Sequence, residues 1–193
     1  MSLRISRDLV ERAQSGEQGA LEQIVDQSVP LVLGWCSRLG GRGVDGEDAT
    51  HDVFVIVVTR IERLRDPDRF AAWLYGVTRG VVRRHRTRAW LRRWLGPIER
   101  EPVSPRLHPD DDLAAREVRA HVWEILDALP LEQREVVVLA DLEERSLPEI
   151  AELLGIPLGT VKSRLRLGRD RFRALARKRK LDPLERHAAR EAL

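Results

Sequence analysis

Sulfur and aromatic rings are scarce in this chain. One cysteine, Cys36, occurs in 193 residues, which excludes an intramolecular disulfide and fits a reducing compartment. It is expected to pack as a small apolar residue rather than to react. His51, His85, His108, His121 and His187 are scattered, with no paired cysteine, no metal-ligand spacing and no phosphate loop. No metal, cofactor or catalytic residue is therefore expected, and the chain does not read as an enzyme. The start, Met1 to Asp8, has no apolar run, so neither a signal peptide nor a membrane span is predicted and the location is read as cytoplasmic. Strict apolar–polar alternation is rare too, although 42% of residues are apolar. Helical periodicity covers most of the chain instead, which points to an all-α fold.

Charge is plentiful but segregated. The overall balance of +3 conceals a net of +7 between Arg79 and Arg93, where seven arginines meet no acid. Gly159 to Lys180 holds ten Lys or Arg against Asp170 alone, a net of +9. Together these segments carry +16, which leaves −13 for all other residues. A chain divided this way offers separate surfaces to polyanionic and polycationic partners.

The spacing predicts helices at about 6–15, 18–39, 45–64 and 68–92, then 113–128, 132–143, 147–154 and 159–179. Between the two groups, residues 96–109 contain Pro97, Pro102, Pro105 and Pro109 and no helical period. That stretch marks an extended linker. The predicted organisation is two small helical domains, 1–95 and 113–180, joined by a Pro-rich linker at 96–112 and followed by a short extension at 181–193. Asp182-Pro183 offers a start for a terminal helix. The Asp110–Asp112 run admits two readings, an element lying in another molecule's path or a cap for the helix starting near Leu113.

Ser146 to Arg169 reads as a DNA-binding helix-turn-helix. Ser146 caps the first helix with Glu149 three residues on, Pro148 sits in the first turn, and Gly155 ends it. Ile150, Ala151, Leu153 and Leu154 form its buried side. In the second helix Val161, Leu165, Gly168, Phe172 and Leu175 recur at spacings of four and three, while Lys162, Arg166, Arg169 and Arg173 form a parallel stripe. If the first stripe packs, the second meets DNA. Thr160, Lys162 and Ser163 then stand at the N-terminal end of the recognition helix, Arg166 follows on the same stripe, and Arg169, about two turns beyond that end, is expected to hold the DNA backbone.

Two further faces stand out. Asp48 and Asp52, four apart on an acid-rich helix start, share one side ahead of Val53, Phe54, Ile56, Val57, Val58 and Ile61. Capping explains the neighbouring Asp45 and Glu47 as well as docking does. On the next helix Phe70, Trp73, Leu74, Val77 and Val81 form a core stripe. Tyr75, Arg79, Arg83 and Arg86 are spaced four, four and three apart on another face. A ring for unpaired bases beside guanidinium groups for the backbone suits single-stranded or distorted nucleic acid.

Four segments in this order resemble one family: the acidic helix start from Asp45 to Phe54, Phe70 to Val77, Leu126 to Leu139, and Leu147 to Arg164. Across about residues 5–180 the chain is similar to the extracytoplasmic-function (ECF) class of bacterial sigma factors, the two-domain promoter-specificity subunits of RNA polymerase. The resemblance implies that the helix around Asp48 and Asp52 binds core RNA polymerase. It implies that the Arg-rich helix reads and opens the minus-ten element of promoter DNA, and that the helix-turn-helix reads the minus-thirty-five element. It also implies an anti-sigma factor as a partner. Two departures are visible. Gly80 stands where relatives commonly carry an Asn that helps hold a minus-ten base, and His51 replaces a frequent Gln. The alternative reading is a stand-alone activator or repressor, which would bind its operator without polymerase, generally as a dimer.

Overall fold

The computed structural model describes residues 5–95 and 113–178, and every regular element among them is helical. The chain divides into two compact units, Met1–Val103 and Ser104–Leu193. The expected linker at 96–112 and the extension at 181–193 lie outside the described residues.

The first unit is built from α1 (Arg7–Gln14), α2 (Gln18–Gly40), α3 (Gly46–Arg60) and α4 (Phe70–Leu95), with two short 3₁₀ turns between α3 and α4. Its helix starts are set by local polar chemistry. The Ser6 hydroxyl accepts the Leu9 N–H at 3.2 Å, and Asp45 Oδ1 accepts from Glu47 and Asp48 at 2.9 and 3.1 Å. Asp45 is thus the cap of α3, leaving Asp48 on its first turn. The Gln14 amide donates to the carbonyls of Ile61 and Leu64, which ties α1 to the α3–α4 connection.

α4 packs against both α2 and α3, so it buries more than the single stripe expected. Phe70, Leu74 and Val81 are buried as predicted, while Trp73 and Val77 are half-buried. Tyr75, Thr78 and Val82 are buried as well and form a second stripe. Cys36 of α2 is fully buried, and burial pushes its thiol up to about 11, so it is inert at neutral pH.

The second unit comprises α5 (Leu113–Asp127), α6 (Leu131–Val137), α7 (Leu147–Leu154) and α8 (Leu158–Lys178). α6 runs on into a π-helical turn, Val138–Leu142, in which the Glu143 N–H reaches the Val138 carbonyl at 3.0 Å. Four consecutive residues, Val136 to Leu139, are wholly buried here. α8 crosses α6 so closely that a Cβ on Gly168 would stand 2.7 Å from Val137 Cγ2. Gly168 is therefore the point of contact between the two helices. Val161, Leu165, Gly168 and Phe172 are buried as predicted, but Ala176 replaces Leu175 at the end of the stripe.

Charged groups also hold this unit together. The Arg134 side chain is completely buried and donates to Asp127 Oδ1 at 2.8 Å. Glu135, also buried, meets Arg164 of α8 at 3.4 Å. Among the described residues no helix is long and apolar enough to cross a membrane.

Candidate functional site

The helix-turn-helix follows from a few local rules. The Ser146 hydroxyl accepts the Glu149 N–H, and the Glu149 carboxylate accepts the Ser146 N–H at 2.8 Å, a reciprocal cap that starts α7. The Ser146 hydroxyl also donates to that carboxylate at 2.6 Å, and this bond together with the one from the Ser146 N–H holds the Glu149 carboxyl below its ordinary range. Gly155 ends α7 in the left-handed region at φ 63°. The Pro157 carbonyl then receives the N–H groups of Thr160 and Val161, opening α8.

With Val161, Leu165 and Phe172 turned inward, Lys162, Ser163 and Arg166 are exposed and Thr160 is half-buried. The Ser163 hydroxyl donates to the Thr160 carbonyl at 2.9 Å, so its donor is used within the helix. Arg166 and Arg173 flank Asp170 at 3.8 and 3.3 Å, both in the open. Arg169 differs from the expectation of a free phosphate-holding residue. Its Nε donates to Asp141 Oδ2 at 3.1 Å and its Nη2 to Oδ1, a two-pronged pair with an acid only 2% exposed. This pairing raises the Arg169 pKa, so the guanidinium stays charged. Its first role is to fix α8 on the π turn, because removing it would leave a buried carboxylate uncompensated.

On α4 the four residues predicted to share an open face separate. Arg83 is exposed and Arg79 half-buried. Tyr75 is 1% exposed, its ring edge-on to Trp35 at 4.9 Å. It cannot stack on a base where it stands, because α4 packs on α2 at that point. Arg86 Nη1 donates to the Leu39 and Gly40 carbonyls at 3.3 and 3.2 Å. It thereby covers carbonyls at the end of α2 that have no partner within the helix. The accessible face is formed instead by Gly76, Gly80, Arg83, Arg84, Thr87, Arg88, Trp90 and Leu91. At Gly80 no side chain or neighbouring element lies within 4 Å of where a Cβ would be, so the missing side chain leaves the helix backbone open there.

On α3, Asp48 is exposed and Asp52 partly so. Asp52 Oδ2 lies 2.9 Å from His85 Nε2 of α4. The hydrogen bond from His85, helped by that residue's charge and by Arg84 and Arg88, holds the Asp52 carboxyl below its usual range. The outward side also carries Val55 and Val58, each 49% exposed. The sequence reading counted Val58 among the apolar residues of this helix and passed over Val55. Three-residue and four-residue steps from Asp48 and Asp52 would have placed both on the same side.

The family model for sigma-70 region 2 matches residues 24–93, and that for sigma-70 region 4 matches residues 119–172. The ECF RNA polymerase sigma factor SigW of Bacillus subtilis is 27% identical over 173 residues, covering 85% of this chain and 92% of that protein. SigE of Mycolicibacterium smegmatis, also an ECF sigma factor, is 32% identical over 165 residues, 82% of this chain and 63% of that protein. Among solved structures, CnrH in complex with the cytosolic domain of CnrY aligns with a TM-score of 0.64 at 28% identity, covering 89% of this chain and 97% of CnrH. The sigma factor RpoE of Bartonella quintana, in complex with the anti-sigma factor NepR, aligns at a TM-score of 0.61 and 20% identity, a likeness of fold.

Proposed function

From the premise that this chain belongs to the sigma-70 family, in its ECF class, we propose how its helices divide the work of a promoter-specificity subunit. The protein is an RNA polymerase sigma factor that directs promoter-specific initiation. Its domains run from 1 to 95, for polymerase binding and the minus-ten element, and from 113 to 180, for the minus-thirty-five element. It works in the cytoplasm and carries out no catalysis of its own.

The observation that carries the division is the outward side of α3, where exposed Asp48 and partly exposed Asp52 stand with exposed Val55 and Val58. Acids beside solvent-facing valines make a protein-docking surface, since carboxylates repel a phosphate backbone while the valines offer apolar area to a protein. Core polymerase docks there. α4 holds promoter DNA on the opened minus-ten side through Arg83 and its exposed basic neighbours, with Arg79 at the margin. Tyr75 and Arg86 support that helix from inside. α8 enters the major groove of the minus-thirty-five element with Thr160, Lys162, Ser163 and Arg166 leading, and Arg169 sets the angle of entry. Binding to the polymerase holds both domains on the promoter, and contacts to unstacked bases offset the cost of opening the duplex.

A regulatory protein partner, an anti-sigma factor, fits the same reading, and the similar CnrH has been solved in complex with another protein, the cytosolic domain of CnrY. Native purification that yields the chain bound to a second protein, released under an inducing condition, supports it.

The docking assignment is tested by titrating core polymerase into labelled protein. Reversing Asp48 and Asp52 together to Lys is expected to weaken association by about 2 to 5 kcal/mol. Unchanged affinity in the folded double variant contradicts the assignment.

A further inference from the structure

The aromatic ring that the α4 surface offers is not Tyr75 but Trp90. Its side chain is 56% exposed and Leu91 beside it is 48% exposed, both unusual for large apolar residues on a helix this basic. Trp90 lies seven residues from Arg83 and three from Thr87, so all three fall on one line of the helix surface. Arg84 and Arg88 are exposed alongside, and no acid occurs anywhere between Asp68 and Glu99.

We propose that Trp90, with Leu91 at its side, is a second nucleic-acid contact of α4 that stacks on an unpaired base or at the edge of the opened duplex. The proposal rests on the reading of α4 as the minus-ten helix and extends it to a site about 15 Å along the helix from Gly80, ten residues at 1.5 Å each. Charge decides between a nucleic acid and a protein as the occupant. An exposed indole on a helix whose own exposed charges, Arg83, Arg84 and Arg88 among them, are all basic matches a polyanion whose bases present flat apolar faces. It contrasts with the α3 face of the same unit, where exposed valines are accompanied by carboxylates. The guanidinium groups track the phosphates while the indole takes a base, and stacking tolerates any base because each has a π face. Gly76 and Gly80, exposed on the same side, leave the helix surface low on the N-terminal side of Arg83.

The test uses the full chain assembled with core polymerase, core alone as the baseline, and a fluorescent 12-nucleotide single strand of random sequence beside a duplex of the same composition. Trp90→Ala is expected to weaken single-strand binding about 5- to 100-fold, with the slope of affinity against salt unchanged because no charge is removed. Trp90→Phe should bind nearly as wild type, whereas Trp90→Leu, which keeps apolar bulk without a ring, should behave like Trp90→Ala. Arg83→Ala in the same assay should reduce the magnitude of the salt slope by about one. Wild-type binding by Trp90→Ala, with Arg83→Ala impaired, overturns the Trp90 site and leaves the reading of α4 intact. Wild-type binding by both variants overturns the reading of α4 itself. Lost association with core polymerase at undiminished single-strand binding shows a protein-docking face and also overturns the proposal.

Discussion

The two basic helices, α4 and α8, are matched in sequence style and opposed in how their arginines are spent. Each buries one side and turns arginines outward. In α8 the arginines at the flanks reach back to acids of the neighbouring helix: Arg164 to buried Glu135 and Arg169 to buried Asp141. In α4 the inward arginine, Arg86, reaches backbone carbonyls, those of Leu39 and Gly40 at the end of α2. A stripe of arginines therefore does not reveal which of them meets DNA. That is decided by what the adjacent element presents at each turn.

The difference can be broken from either side. Tyr75→Ala should remove about 3 to 5 kcal/mol from the first unit, because the ring fills its core against Trp35. If urea denaturation shows native stability and only promoter opening fails, the ring belongs to DNA after all. Arg134→Ala should cost the second unit about 1 to 3 kcal/mol by removing a buried guanidinium from partly exposed Asp127, with the first unit's transition unmoved. Gly168→Ala should destabilise the second unit by about 1 to 2 kcal/mol, the clash with Val137 outweighing the helix preference of Ala. A stabilised variant in thermal melting would show that α6 and α8 do not approach this closely.

The smallest effect concerns Asp52. Its folded pKa is depressed, so the stabilisation is present above the unfolded carboxylate pKa, about 3.9, and is lost as pH falls through the folded value. The stability gap between wild type and Asp52→Asn should be under about 1 kcal/mol at pH 5 and shrink below pH 4. A gap that grows with acid contradicts the pairing with His85.

Much of this architecture was legible beforehand. Helix starts followed from Ser146 and Asp45, the end of α7 from Gly155, and most of the inner face of α8 from spacings of three and four. What escaped the sequence was set by tertiary contacts. Tyr75 looked accessible because a single buried stripe was assumed for α4, and packing on both α2 and α3 requires two. Arg169 looked free because Asp141, its partner in the π turn, is 28 residues away in sequence. Leu175 gave way to Ala176 where α8 leaves its neighbours, a shift of one residue that periodicity does not fix.

The division of α8 between fold and DNA is tested most directly by comparing Arg166→Ala with Arg169→Ala. Each variant holoenzyme would be titrated with salt on duplexes selected from a random pool by the wild type, and each variant chain unfolded in urea. Arg166→Ala should keep its stability within about 0.5 kcal/mol. It should also cost about 1 to 3 kcal/mol of binding, with relaxed preference at particular base pairs. Arg169→Ala should lower the stability of the second unit by about 1 to 3 kcal/mol by orphaning Asp141, and leave the salt slope near the wild-type value. The opposite result, a stable Arg169→Ala with a slope reduced by about one and an Arg166→Ala indistinguishable from wild type, would contradict the account.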